Sequence, residues 1–216
     1  MESLAQQAPD ARISGAWCNA SLAISALLEA MSFATPALER FFIQAVCDAA
    51  RHARDPTLQS RAHDFVQEEA RHSRAHRNFN LALTGYLGAR PPGLRAIEWL
   101  LALATRHVSR HTRLASVEAL EQVSETLSAR YLRFECGATF DCPYARHLFA
   151  QHAREEIGHA AVIHDLLVPC RGSGRLIKAA AYSIAATAGT AYLALAVPWI
   201  ILRKLSARRR GQEIFQ

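Results

Sequence analysis

Two short stretches of the chain, EARH at Glu69–His72 and EIGH at Glu156–His159, decide which fold is expected. In each stretch a glutamate precedes a histidine by three residues, and residues three apart lie on one face of an α-helix. Each pair therefore directs a carboxylate and an imidazole to the same point. Two such pairs on facing helices bring two oxygen and two nitrogen ligands together. The pattern predicts a protein built around these two helices.

The rest of the chain is also predicted to be helical. Ala, Leu, Arg and Glu dominate, and alternating β-branched runs closed by tight turns are missing. Of the 216 residues, 50% are hydrophobic and 20% are charged, which excludes collagen-like, low-complexity and wholly disordered classes. The chain is therefore expected to be all-α, with its helices packed as an antiparallel four-helix bundle followed by a C-terminal apolar helix.

Proline and glycine positions predict where the helices begin and end. The first bundle helix is expected to start at Thr35-Pro36, with Thr35 as N-cap, and to follow a separate apolar segment. The predicted ranges are 18–31 for that apolar segment, then 36–52, 57–87, 93–136 with an interruption near 110–116, and 141–167. These elements divide the chain into a polar lead (1–17), a metal-binding bundle (18–170) and an apolar helix with a basic tail (171–216).

The C-terminal segment differs in composition from the bundle. Residues 179–202 carry no charge, and five basic residues follow between Arg203 and Arg210, which accounts for most of the net charge of +6. A run of this length can reach across a bilayer core. The alternatives are a buried packing helix and an apolar homodimer face. We expect a cytoplasmic protein that the C-terminal helix attaches to the inner membrane. The N-terminus does not read as a secretory signal.

The two motifs predict a dinuclear metal site when one carboxylate from each of two further helices joins them. On the first helix Glu39 is the candidate, because Phe42, Ile43 and Val46 place it on the core face. On the third helix Glu118, Glu121 and Glu125 share one face, and spacing does not choose among them. The five cysteines contain no C-x-x-C pair, so a thiolate zinc site and a disulfide framework are not expected.

Two further histidines lie one turn from the motifs. His76 follows His72, and His152 precedes Glu156. Both are predicted to be catalytic residues that orient ligands or shuttle protons. The cofactor is expected to be two divalent metal ions, with iron favoured and manganese or zinc as alternatives, because oxygen ligands with imidazole suit these metals.

The motifs and their surroundings resemble a family of bacterial proteins, the predicted metal-dependent hydrolases. The resemblance rests on LERFFI at 38–43, Asp55-Pro56, the stretch 65–80 and the stretch 152–159. It implies a ferritin-like bundle that holds a di-metal carboxylate site, and it implies Glu121 as the ligand of the third helix. Glu68 departs from the family, which usually has Gln there, and this departure is not expected to alter the site.

The predicted ligand set is Glu39, Glu69, His72, Glu121, Glu156 and His159. Glu-x-x-His pairs on bundle helices recur in redox enzymes, so the favoured function is di-iron oxygen chemistry on a small substrate. The alternatives are hydrolysis by a metal-activated water, as the family name implies, and a non-catalytic metal-binding protein at the membrane. No nucleophile elbow, nucleotide-binding glycine pattern or nucleic-acid-binding patch is present.

Overall fold

A computed structural model describes residue 13 and residues 15–167 and 174–213. Over these residues the chain forms seven helices and no strand, which confirms the all-α class. In order they are α1 (Leu22–Ala50), α2 (Pro56–Leu87), α3 (Leu94–His107), α4 (Arg110–Glu135), α5 (Pro143–Glu155), α6 (His159–Leu167) and α7 (Gly174–Glu213).

Helix α1 begins earlier than predicted, and the expected N-cap at Thr35 is wrong. Ser21 is the N-cap, and its hydroxyl accepts a hydrogen bond from the backbone N–H of Ile24. Pro36 lies inside the helix. Proline has no N–H, so the carbonyl of Ser32 loses its helical partner. The side chain of Asn80 on α2 donates Nδ2–H to that carbonyl over 2.8 Å, so the interruption is compensated from the neighbouring helix.

Helix α2 follows its prediction closely. Asp55 caps its N-terminus by accepting from the N–H of Thr57, and Pro56 occupies the first turn. Gly88 ends the helix in a left-handed conformation with φ 77°, where a side chain is strained. Arg203 of α7 donates to the carbonyl of Leu87 at this end.

The helix predicted for 141–167 starts as expected but is broken in its middle. Pro143 opens α5, α5 ends at Glu155, and α6 starts at His159. Gly158 lies between them with φ 100°, a conformation that α-helices do not contain. The second motif therefore spans a helix break, and one regular helical face does not carry both of its members. The other interruption falls at Val108-Ser109, just before the range predicted for it.

Helix α7 packs on the bundle through one face. Tyr192, Ala196 and Ile200 are buried in a core cluster with residues of α1, α2 and α5, and the Tyr192 hydroxyl donates to the carbonyl of Ala30. Lys204 is fully buried and donates to Glu29 of α1 and to the carbonyls of Ile13 and Gly15. One member of the predicted basic tail is thus a core residue.

Two helices are long and apolar enough to cross a membrane by length and composition, Leu22–Ala50 and Arg175–Arg208. Half of the apolar window of the first is buried within the protein, against 17% for the second. The predicted end of the bundle at Pro169–Gly174 falls largely on residues outside the described ranges, and the division of the chain at 170/171 stays a prediction.

Candidate metal centre

The fold brings the six predicted ligands together from four directions. Glu39 comes from α1, Glu69 and His72 from α2, Glu121 from α4, and Glu156 and His159 from the two sides of the α5–α6 break. All six are 0–5% exposed. Burying so many ionisable groups costs free energy unless an opposite charge or hydrogen bonds compensate for it.

Glu69 and Glu156 lie in the middle of the cluster, between the two motif histidines. His159 Nδ1 is 3.1 Å from Glu69 Oε1 and 3.8 Å from Glu156 Oε1. His72 Nδ1 is 3.7 Å from both of these oxygens. Glu121 Oε2 adds a contact of 3.9 Å to His159 Nδ1. The two halves of the cluster therefore share two central carboxylates.

Eight buried atoms of this cluster make no hydrogen bond of regular geometry, although His159 Nδ1 lies 3.1 Å from Glu69 Oε1. These eight atoms are both oxygens of Glu39, Glu69 and Glu121 and the Nδ1 atoms of His72 and His159. Buried polar atoms in proteins are almost always hydrogen-bonded, so a convergent set without partners requires an explanation. Two triads, Glu39/His72/His152 and Glu69/Glu156/His159, offer ligand atoms within 4.8 Å of one another. Carboxylate oxygens and imidazole nitrogens are ligands of divalent transition metals, so the residues fit such ions.

Two glutamates orient the motif histidines. Glu155 Oε2 lies 2.6 Å from His72 Nε2, and Glu68 Oε2 lies 3.0 Å from His159 Nε2. Each motif thus supplies the carboxylate that holds the histidine of the other motif. A proton held on Nε2 leaves Nδ1 with a lone pair that faces the central carboxylates. Such carboxylate–histidine pairs tune metal ligands in known sites.

The sequence analysis did not predict that each motif's first glutamate contacts the histidine of the other motif. Glu68 was expected not to affect the site, and Glu155 was assigned no role. The signal was available, because both motifs read Glu-Glu-x-x-His and not only Glu-x-x-His. It could be interpreted only once the two motifs were known to face each other.

His76 and His152 form a second layer beside Glu39. His152 Nε2 is 3.2 Å from Glu156 Oε1, and its Nδ1 is 3.8 Å from Glu39 Oε1 and 3.2 Å from His76 Nε2. His76 does not reach the central carboxylates itself, and its Nδ1 is 2.8 Å from the Ser32 hydroxyl. The predicted catalytic role of both histidines stays a prediction.

Of the three candidate glutamates on α4, only Glu121 is fully buried and makes no hydrogen bond with another described residue. Glu118 is 1% exposed, but His164 contacts it at 2.9 Å and Lys178 at 2.6 Å. Glu125 is half-buried. Glu121 is fully buried and both of its oxygens are free. The geometry therefore agrees with the residue that the family resemblance implies.

The pKa values of the cluster are shifted because several carboxyl groups are buried close together. Burial, and then the charges of Glu69 and Glu156, raise the pKa of Glu39 well above its usual value. Burial and the same two neighbours raise the pKa of Glu121. Burial also acts to raise the pKa of Glu69, but contacts with His159 and His72 lower it to about 2. A bound cation offsets this mutual repulsion.

The comparisons with known proteins give one match. A family profile described as "Predicted metal-dependent hydrolase" matches residues 6–214, nearly the whole chain and including α7. No curated protein and no solved structure matches.

Proposed function

The chain belongs to the predicted metal-dependent hydrolase family, and we propose that it is an enzyme that binds two divalent metal ions in the six-residue cluster and hydrolyses a small substrate. The observation that carries the proposal is the convergence of eight buried oxygen and nitrogen atoms without hydrogen-bond partners. The family description favours hydrolysis over the oxygen chemistry predicted from the ligand pattern.

Each member of the cluster has a role in this proposal. Glu69 and Glu156 lie between the two imidazoles, and their carboxylates would help to hold the ions. His72 and His159 would bind through Nδ1, and Glu39 and Glu121 would add further carboxylate oxygens. Bound divalent ions supply Lewis acidity and lower the pKa of a coordinated water. Glu155 and Glu68 hold the Nε2 protons of His72 and His159, which keeps the Nδ1 lone pairs aimed at the ions.

The cluster meets solvent on the side of the orienting glutamates. The side chains of Glu68, Glu155 and His152 are 34%, 26% and 19% exposed, whereas the six central residues are nearly inaccessible. A small substrate would approach along this edge, between α2 and the α5–α6 break. A cavity of about 360 Å³ near Cys47 and Val66 is lined by no residue of the cluster.

Di-iron redox chemistry is the second candidate function. The observation that favours it is the arrangement of the ligands, one Glu from each of two helices and a Glu-x-x-His pair from each side of the bundle. This arrangement matches ferritin-like di-iron and di-manganese proteins. The third alternative, a metal-binding protein without catalysis, has no observation in its favour beyond the site itself.

Elemental analysis of anaerobically purified protein, before and after exposure to air, tests the proposal. Two manganese or zinc ions per chain together with turnover on an esterase and phosphatase panel support the hydrolase. Two iron ions with near-ultraviolet absorbance that changes in air support the redox candidate. Bound metal that is inert in both assays supports the non-catalytic protein, and protein that takes up no metal contradicts all three.

For localisation we propose that α7 lies on the inner membrane surface through its exposed apolar face. Ile184, Leu195 and Leu202 are 56–65% exposed, and spacings of eleven and seven residues place them on one side of the helix. The opposite side packs on the bundle. Arg175 and Arg208, near the two ends of α7, are exposed and suit anionic lipid.

Vesicle flotation tests the membrane proposal without removing α7, because truncation would expose the core around Tyr192. Binding to vesicles with anionic lipid should fall when Ile184 and Leu195 are changed to Asn. Leu81→Asn is the matched control, since Leu81 is a 71% exposed leucine on α2. Equal flotation of all three proteins, or none for the unaltered chain, contradicts the proposal.

A further inference from the structure

A chain of hydrogen bonds connects the proline inside α1 to the metal centre. Pro36 leaves the carbonyl of Ser32 free, and Asn80 donates Nδ2–H to it over 2.8 Å. That bond determines the orientation of the Asn80 amide, so Oδ1 must be the acceptor on its other side. The Ser32 hydroxyl donates its only proton to this Oδ1 over 2.8 Å.

The orientation of Ser32 determines the tautomer of His76. Because the hydroxyl proton is used by Asn80, the Ser32 oxygen can only accept from His76, whose Nδ1 is 2.8 Å away. His76 therefore carries its proton on Nδ1. The ring is 1% exposed, and its hydrogen-bond partners are Ser32 and His152, so no carboxylate of the described residues lies within hydrogen-bonding reach to balance an imidazolium. His76 is neutral, and its Nε2 is an acceptor.

The same logic extends to His152. Its Nδ1 is 3.2 Å from His76 Nε2, so His152 must carry a proton on Nδ1 and donate it. Its Nε2 then presents a lone pair 3.2 Å from Glu156 Oε1, which is also an acceptor. Two lone pairs at this distance repel unless a proton or a metal ion lies between them. Within the proposed site that position belongs to a metal ion, and a proton on Nε2 is the result that would overturn this assignment.

Building on the proposed function, we propose that His152 is a seventh ligand, bound to one of the two ions through Nε2, and that Pro36, Asn80, Ser32 and His76 hold it in the tautomer this requires. His152 is then a ligand, and it is not free to shuttle protons. One ion takes His72 and His152, whereas the other takes His159 alone. The two positions differ in nitrogen content, so they are expected to fill in two steps.

The test uses full-length protein labelled with ¹⁵N at histidine and loaded with Zn²⁺, in which long-range ¹H–¹⁵N correlation spectra report each tautomer. We expect His76 and His152 to be protonated at Nδ1, with His152 Nε2 unprotonated and shifted by zinc. Ser32→Ala should weaken zinc binding at one position by about 10-fold or more, and Ser32→Thr, which keeps the hydroxyl, should restore it.

Ser25→Ala is the matched control. Ser25 is a buried hydrogen-bonded serine seven residues earlier on α1, outside the chain of bonds, and its loss should leave both zinc steps unchanged. Two bound zinc ions with a proton on His152 Nε2, or two zinc steps unaffected by Ser32→Ala, overturn the inference and leave the proposed function standing. A wild-type chain that binds no zinc, manganese or iron overturns the proposed function itself.

Discussion

Helix α1 carries two buried glutamates that the protein treats in opposite ways. Glu29 accepts at Oε1 from Lys204 Nζ and from Trp17 Nε1, so the chain itself provides a cation and a donor. Glu39, ten residues later on the same helix, has no hydrogen-bond partner at either oxygen. Both are nearly inaccessible to solvent. A buried carboxylate that the fold pairs internally is structural, whereas one left unpaired among others of its kind requires a cation from outside.

Removing the cation that the chain itself provides, Lys204, should have the largest effect on stability. Lys204→Met leaves Glu29 buried without its cation, and we expect the free energy of unfolding to fall by about 3–5 kcal/mol in chemical denaturation. The double variant Glu29→Gln with Lys204→Met should recover much of that loss, because it leaves no uncompensated charge. A single variant as stable as the double would mean that the pair is not coupled.

Glu29 should also make the free energy of unfolding depend on pH. Burial raises the pKa of Glu29 from 4.5 to about 7. The folded state then binds this proton more tightly than the unfolded state, so its contribution is fully present below pH 4.5 and is lost as pH rises through about 7. The difference in unfolding free energy between wild type and Glu29→Gln should therefore change by roughly 3 kcal/mol at most across this window. A difference that is flat with pH contradicts the raised pKa.

Metal should stabilise the site around Glu39 and leave the Glu29 pair unaffected. Ions at about 100 times their dissociation constant should raise the unfolding free energy by about 2.7 kcal/mol over chelated protein. Glu39→Gln should reduce this gain and make the metal-free protein more stable, because it removes a buried carboxyl group that lies among other carboxylates. Glu29→Gln should keep the full gain.

Replacing His72 or His159 with Ala should remove at least one ion in elemental analysis, and unchanged metal content would exclude that residue as a ligand.

Glu121 and Glu125 provide a sharper comparison within one helix. Glu121→Gln should lower metal affinity by about 10-fold or more, since it replaces a buried carboxylate whose oxygens face the centre. Glu125→Gln should have little effect, because that side chain is half-buried, whereas Glu121 is fully buried and lies 3.9 Å from His159 Nδ1. Calorimetric metal titration of both variants measures the difference, and the reverse ranking would mean that another glutamate of α4 is the ligand.

The smallest effect is expected from the glutamates that orient the histidines. Glu68→Gln and Glu155→Gln keep the shape of the side chains but remove a charge that stabilises the Nε2–H of His159 and His72. Metal affinity should fall by about 10-fold in each variant, with both ions still bound at high metal concentration. Arg71→Gln, which alters a half-exposed neighbour of Glu68, is the control. Loss of an entire ion would make the changed residue a direct ligand.

Much of the fold and of the site could be predicted because helices are local. The period of 3.6 residues placed Glu69 and His72 on one face, and Asp55 and Gly88 marked the ends of α2. The same reasoning erred at Pro36, where it predicted a helix start. The side chain of Asn80, on another helix, donates a hydrogen bond to the Ser32 carbonyl in place of the missing N–H of Pro36. No local sequence pattern reveals that partner.

The sequence by itself determined that the chain is helical, that two Glu-x-x-His pairs bring carboxylate and imidazole groups together, and that Glu39 faces the core. Only the tertiary structure decided that Glu121 of α4 lies beside His159, that Glu68 and Glu155 each hold the opposite motif's histidine, and that Lys204 is a core residue. The reason is distance along the chain. Glu29 and Lys204 are 175 residues apart, and whether such groups meet depends on how helices dock, which no helical periodicity encodes.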